Sequence, residues 1–473
     1  GGTVTEGESD KTQWSIASYL ARVQYNYEGR YMLSAAIRAD GSSRFGKNNR
    51  WGYFPSASAA WRISDEQFFK NVKKLSFIND MKIRASYGVT GNFQIGDYDH
   101  LATMSIDNYI LGNGLAYGYK PDNIKRDDLS WEKNQMINAG IDLQMFDGYL
   151  GLSVDYYNTN TSNMLLYVPV PLLTGYSTSL QNLGKVNNRG WELALTSQHT
   201  FANGFGYSFN ANYAKNTNEV KELGPGNAPI ISSGSVGHAY YITEVGKPIG
   251  NYYLLVQDGI FATEEDLKKY PHFDNTEVGD FRFVDVDGDG KLDLDKDRTI
   301  CGNYMPKFTY GFGGKLWYAG FDMDFNFQGV YGNKILNLNK RYLDNMEGNT
   351  NGTKIALDRW KSPENPGSGS VNKASRKQTG YNSRTSTWHL ESGSYLRLQN
   401  LSLGYTLPHA LTQKFKVEKM RVYVSGQNLF TITNYSGYNP EVNARPSKNL
   451  TPGEDYGTYP LARTYMFGLN LTL

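Results

Sequence analysis

One-by-one alternation of apolar and polar residues, sustained over long segments, constrains this chain more than any other feature of its sequence. Near the start, Tyr19, Ala21, Val23, Tyr25 and Tyr27 share one parity, while Ser18, Arg22, Gln24 and Asn26 share the other. Past Glu28-Gly29 the pattern resumes, with Tyr31, Leu33, Ala35 and Ile37 set against Ser34, Arg38 and Asp40. Met81, Ile83, Ala85, Tyr87 and Val89 alternate with Lys82, Arg84, Ser86 and Thr90. Phe321, Met323, Phe325 and Phe327 alternate with Asp322, Asp324, Asn326 and Gln328. Successive side chains of a strand point to opposite faces, so a period of two means strands with one apolar and one polar face. Charges and amides on the polar face are expensive in a dry core and cost little against water.

The same pattern predicts strands at 14–27, 31–40, 51–63, 80–90, 131–146, 149–160, 186–199, 206–217, 307–319, 320–331, 394–407, 419–432 and 460–473. Many run to about 10 to 14 residues, the length that crosses a bilayer at a strong tilt. Trp51, Trp131, Tyr149, Trp191 and Tyr207 stand near strand ends, where aromatic girdles of a membrane barrel lie. Connections form two classes. Tyr27-Glu28-Gly29-Arg30, Asp147-Gly148, Asn203-Gly204 and Ala319-Gly320 are tight turns, and 64–79 and 408–418 have room for a helical turn. Segments 91–130, 161–185, 218–306, 332–393 and 433–459 are long and polar. Short turns at one end and long loops at the other are the outer-membrane arrangement, periplasmic and extracellular respectively. The expected fold is therefore all-β: an antiparallel transmembrane β-barrel wall of about 13 strands.

Composition agrees. Only 39% of the 473 residues are hydrophobic, yet aromatics reach 14%, with 36 Tyr and 22 Phe, and there are 50 Gly. The 48 Lys and Arg nearly balance 46 Asp and Glu, so no whole-chain field points to nucleic acid. Cys301 stands alone, so no intrachain disulfide forms. No run approaches 18 apolar residues, which leaves strands as the means of spanning a membrane, and Gly1–Asp10 has no signal-peptide pattern.

Three blocks are more specific. They are WGYFPSASAAWRISDEQFFK at 51–70, DFRFVDVDGDGKLDLDKDRTICGNYMPKFTYGF within 280–314, and YLRLQNLSLGYTLP followed by RVYVSGQNLFTITNYSGYNPE within 395–441. They occur in the order found in SusC/RagA-type TonB-linked outer-membrane proteins, and the chain resembles that family over nearly its whole length. The resemblance implies a 22-stranded barrel with its lumen filled by an amino-terminal plug. It also implies a SusD-like lid lipoprotein over the extracellular mouth, energy from the TonB system through the plug, and import of oligosaccharides or peptides. It allows a homodimer of the transporter–lid complex, and places the protein in the outer membrane of a Gram-negative, Bacteroidetes-like bacterium, among its lipids. The chain departs from the pattern in having no plug-like region, no TonB-contacting segment, and Leu473 at its end where an aromatic is more usual.

One local motif carries chemistry. Asp285, Asp287, Asp289 and Asp293 occupy positions one, three, five and nine of an EF-hand-type loop, with Gly290 at six and the Lys291 carbonyl at seven. Oxygen-only ligands on a Gly-bent loop suit a structural Ca²⁺. Position twelve is Lys296, so closure falls to Asp295 or Asp297. A solvated acidic turn is the alternative. His100, His199, His238, His272, His389 and His409 show no metal-ligand spacing, and no Ser, His and Asp set stands out, so no enzyme is expected. Lys70, Lys73 and Lys74 read as a solvated basic turn, and the Tyr- and Asn-rich loops 98–120 and 375–395 either contact cargo or pack on their neighbours.

The expected whole is residues 1–473 as the carboxy-terminal portion of a transporter barrel, with long loop regions at 218–306, holding the acidic loop 285–297, and at 332–393. An odd count of 13 strands, with the last running inward, puts the chain's start outside the cell, so further strands and the plug are expected upstream. The rival readings are a passive porin-like barrel and a secreted all-β adhesin or glycan-binding module.

Overall fold

The computed structural model describes residues 11–176, 178–236, 238–348, 350–376 and 382–473. Among these, a 13-stranded antiparallel sheet takes its strands in chain order. They are β1 (Ile16–Tyr27), β2 (Tyr31–Ser42), β3 (Trp51–Arg62), β4 (Ile78–Asn92), β5 (Glu132–Met145), β6 (Leu150–Ser162) and β7 (Lys185–Thr200). There follow β8 (Gly206–Glu222), β9 (Phe308–Tyr318), β10 (Phe321–Tyr331), β11 (Tyr395–Thr406), β12 (Lys419–Thr433) and β13 (Thr464–Thr472). Every strand expected from alternation is present, with ends moved by a few residues. Contacts divide the chain into two compact units, one of residues 1–143, 154–190 and 218–230, the other of 144–153, 191–217 and 231–473.

In the first unit, register turns sequence parity into faces. Val23, Ala35, Ala57 and Tyr87 stand in line across β1 to β4, and so do Tyr25, Leu33, Ala59 and Ala85. The intervening parity gives a row of hydroxyls and an amide, Gln24, Ser34, Ser58 and Ser86. A slip of one residue would exchange the two faces, so the alternation itself pins the register. The turn between β1 and β2 needs left-handed backbone at both central residues, and Glu28 (φ 52°) and Gly29 (φ 69°) supply it.

The second unit repeats the rule. Leu316, Met323, Leu403, Val424 and Phe467 line up across β9 to β13, as do Tyr318, Phe321, Tyr405, Val422 and Leu469. Phe321 is 64% and Phe467 86% exposed, a density of apolar surface that water does not tolerate on a monomer. The 64–79 and 408–418 connections do carry short helices, Gln67–Lys70 and His409–Thr412.

Two features differ from expectation. Trp131 is not a girdle residue: it is 3% exposed, packed with Phe45, Phe54 and Phe93, and its indole N–H donates to the Arg50 carbonyl at 2.9 Å. Gly91 makes the room, since a Cβ there would lie 2.2 Å from Phe54 and 2.8 Å from Trp131. Gly91→Ala should therefore destabilise by about 1–3 kcal/mol through overpacking, read as a lowered melting temperature of the folded protein in detergent. Trp51 does stay 45% exposed and stacks on Tyr19, 5.9 Å between centroids.

The long connections also hold structure that alternation did not announce. Within them are a four-stranded sheet of Ile230–Ser233, Tyr240–Thr243, Asn251–Leu255 and Arg298–Gly302, and a three-stranded one of Lys334–Asn337, Leu390–Ser392 and Glu454–Asp455.

Candidate functional site

The polar face of the wall is lined with paired charges. Arg84 on β4 donates to both carboxylate oxygens of Asp142, at 2.8 and 2.9 Å, and to Asp155 at 2.9 Å, while Lys82 reaches Asp142 at 3.0 Å. In the second unit, Arg421 holds Asp322 by two bonds of 2.8 and 2.6 Å. These groups are about one-third exposed or less, and salt bridges at such positions contribute roughly 0–1 kcal/mol each. Their effect is to present a hydrated, hydrogen-bonding surface opposite the apolar rows.

The acidic loop brings together part of its expected ligand set. One carboxylate oxygen from each of Asp285, Asp287 and Asp289 lies within 4.8 Å of the others. Asp285 accepts N–H bonds from Gly288 at 2.7 Å and Gly290 at 2.8 Å, and those of Gly290 and Gly288 hold its carboxyl below the usual carboxylate range. Lys291 lies on the same turn, its N–H donating to Asp289 at 2.9 Å. The remaining candidates already have hydrogen-bond or ion-pair partners. Asp293 accepts from the N–H groups of Asp295 and Lys296, which depress its pKa as well. Asp295 is an exposed partner of Arg298 at 3.4 Å.

Asp297 is fully buried and clamps the loop, accepting the Val286 N–H at 2.7 Å and the Asp293 N–H at 2.6 Å. Lys296, at the position where an acid is usual, puts its ammonium 3.6 Å from Asp289. Neither the clamp nor this counter-charge could be read from motif spacing, which does not say which carboxylates turn inward.

Glu454 is a buried anchor that sequence reasoning missed. It is completely buried, and accepts the Ser235 N–H at 3.0 Å, the Ser235 hydroxyl, and the Tyr241 hydroxyl at 3.0 Å. Burial first, then Tyr252 and Glu454 beside it, push the Tyr241 phenol far up, so it remains a donor. Tyr252, also buried, donates to the carbonyls of Lys334 and Gly453. Three connections far apart in sequence are thereby fastened into one lobe around Val236, Tyr241, Tyr252, Leu254, Leu336 and Leu338.

Of the two loops named as contact candidates, the first forms a β-hairpin. Met104–Ile106 pairs with Tyr119–Pro121 and Tyr109–Leu111 with Gly114–Ala116, leaving Ile106, Ile110 and Tyr119 about 70% exposed. Residues 377–381 of the second lie outside the described residues; its Trp388 packs on Phe281, 5.1 Å between centroids. The histidines are scattered, His199 between Tyr149 and Phe201, His272 on the Phe273 carbonyl, and His389 fully buried. Among the described residues none joins a metal-ligating group.

A family model of TonB dependent receptor-like β-barrels matches residues 1–429. TonB-dependent receptor P3 of Formosa agariphila is 35% identical over 485 residues, covering 100% of this chain and 47% of that protein. TonB-dependent receptor SusC of Bacteroides thetaiotaomicron is 29% identical, over 97% of this chain and 44% of its own length. Among solved structures, the RagAB peptide transporter superposes with a TM-score of 0.80 at 27% identity, over 97% of this chain and 47% of the matched one. The chain spans about half the length of the relatives it matches.

Proposed function

The chain belongs to the TonB dependent receptor-like β-barrel family, and from that premise we propose that it supplies 13 strands of the wall of a TonB-energised importer. The protein is an outer-membrane protein of SusC/RagA type. The observation that carries the reading is the two-faced register: unbroken apolar rows such as Leu316, Met323, Leu403, Val424 and Phe467 suit lipid, and the paired charges opposite suit a watery lumen. The cargo is an oligomeric nutrient, a glycan or a peptide, received from a SusD-like lid lipoprotein, and the long-loop lobe stands on the extracellular side. The relatives' names, those of receptors and of a peptide transporter, support transport rather than catalysis.

The test is uptake of labelled oligosaccharides and peptides by cells carrying the full-length protein, with and without a functional TonB system. Accumulation should cease without TonB. Uptake that persists makes the barrel a passive pore, and a protein that stays monodisperse without detergent belongs to the secreted all-β class.

For the acidic loop we propose a structural Ca²⁺, held by Asp285, Asp287, Asp289 and the Lys291 carbonyl, with Asp293, Asp295 or Asp297 completing the set. The donors are all hard oxygens, and three carboxylates already converge. Terbium luminescence and calorimetric Ca²⁺ titration read the site without reference to transport. Asp287→Ala should weaken binding at least about tenfold and raise protease sensitivity around 258–306 while leaving the wall folded. No saturable Ca²⁺ binding by the unaltered protein would leave the loop a solvated acidic turn.

A further inference from the structure

The apolar face of the second unit is not flat. At the end where short connections join its strands, a groove of about 650 Å³ crosses it from β9 to β13. Leu403 of β11 and Val422 and Val424 of β12 occupy its middle and remain exposed, while rings stand at either end. Phe321 and Tyr405 lie 4.5 Å apart between centroids on one side, with Phe205 6.5 Å from Tyr318 beyond them, and Phe467 stands on the other. Short aliphatic side chains between taller rings make a trough, and four inter-strand steps of about 4.8 Å make it roughly 19 Å long. One leaflet of hydrocarbon is about 15 Å deep, so the trough matches a single acyl chain in length.

The same end of the wall carries a charge pattern. Connections 201–205 and 319–320 contain no charged residue, whereas 408–418 holds Lys414 and Lys416 against Glu418, and Lys419 opens β12. All three lysines are exposed, and so is Phe415 between the first two. They are tied to the strands, for the Leu407 N–H donates to the Met420 carbonyl at 2.9 Å and the Val417 N–H to the Thr412 carbonyl at 3.2 Å. Lys419 precedes Val422 by three residues, about 10 Å at the rise of a strand.

We propose that this groove and the lysines beside it bind one phospholipid of the periplasmic leaflet, an acyl chain in the trough and the phosphate among Lys414, Lys416 and Lys419. The groove lies on the face that register gives to lipid, so hydrocarbon meets it rather than water or cargo. Within hydrocarbon, packing contact decides where a chain rests, and a trough offers apolar atoms on several sides where a flat wall offers them on one. Ammonium groups at headgroup level attract a phosphate. A second copy of the chain fits less well, because a two-fold contact sets identical surfaces against each other and would bring the two lysine clusters together. The inference rests on the proposed orientation, with the short connections on the periplasmic side.

The experiment is native mass spectrometry of the full-length protein released from nanodiscs of palmitoyl-oleoyl phosphatidylglycerol and phosphatidylethanolamine in equal parts, with lipopolysaccharide added in a second arm. The unaltered protein should retain a phospholipid that Val422→Trp and Leu403→Trp, which fill the trough, lower in occupancy at least about tenfold. Ala57→Trp, the same added bulk on the apolar row of the first unit, should leave retention unchanged. Phosphatidylglycerol should be favoured roughly fivefold, and the double variant Lys414→Gln, Lys416→Gln should abolish that preference. Folding is read separately from heat-shifted migration in detergent gels, and the double variant, which lies outside the strands, serves if neither Trp variant folds. Retention unchanged by the Trp variants, equal loss with Ala57→Trp, or lipopolysaccharide or a second copy held in place of phospholipid overturns the inference. Binding is read without TonB or cargo, so its failure is distinct from a failure of TonB-dependent uptake.

Discussion

Glu454→Ala should unfasten the loop lobe while the wall stays folded. The substitution removes the acceptor for the Ser235 N–H, the Ser235 hydroxyl and the Tyr241 hydroxyl, in a place where Tyr241 has no exposure to water. A buried donor left without a partner costs about 1–3 kcal/mol, and the groups share one carboxylate, so a loss of about 3–5 kcal/mol in the lobe is expected. Limited proteolysis should then cut first between 230 and 260. The heat-shifted migration of the barrel should persist, because no strand of the 13-stranded sheet loses a ladder bond. Tyr241→Phe, which deletes one donor and leaves the carboxylate with Ser235, should cost less, about 1 kcal/mol. A proteolysis pattern of Glu454→Ala identical to that of the unaltered protein would mean that the lobe's apolar packing alone holds it.

That residue also shows where sequence reasoning stops. The wall was legible because a strand with lipid on one face and water on the other records both environments at neighbouring positions: Phe321 and Asp322, Met323 and Asp324. The signal is local and repeats in each strand. Glu454 meets Ser235 across 219 positions, and nothing near either residue announces the other. Trp131 was misplaced for a related reason. A ring near a strand end reads the same whether it faces lipid or fills a pocket, and the decision rests with Gly52 and Gly91, which leave space for it and for Phe54. In the acidic loop, the spacing picks out three carboxylates that the fold brings near one another, while the inward turn of Asp297 and the approach of Lys296 depend on loop closure.

The largest effect is expected from separating this wall from the remainder of a longer polypeptide. Sheet order places β1 and β13 at its two ends, β1 paired with β2 and β13 with β12. All 12 residues of β1 are exposed. In hydrocarbon each unsatisfied backbone N–H or C=O costs several kcal/mol, so two open edges of membrane-crossing length outweigh the stability of an ordinary domain. Residues 1–473 refolded alone into lipid should therefore give protease-sensitive material, without a heat-shifted band and without conductance. Addition of the amino-terminal half of a family relative should restore a resistant species. The opposing outcome is a wall that closes on itself, detectable by cysteines placed at Tyr25 and Leu469. Efficient disulfide formation between them in lipid requires β-carbons within about 4.5 Å, which only paired edges provide. Such closure would make a smaller barrel able to stand without a partner, and the passive-pore reading would then displace the importer. Failure of the pair to cross-link, together with loss of the folded band, is the result that the two unpaired edges lead us to expect.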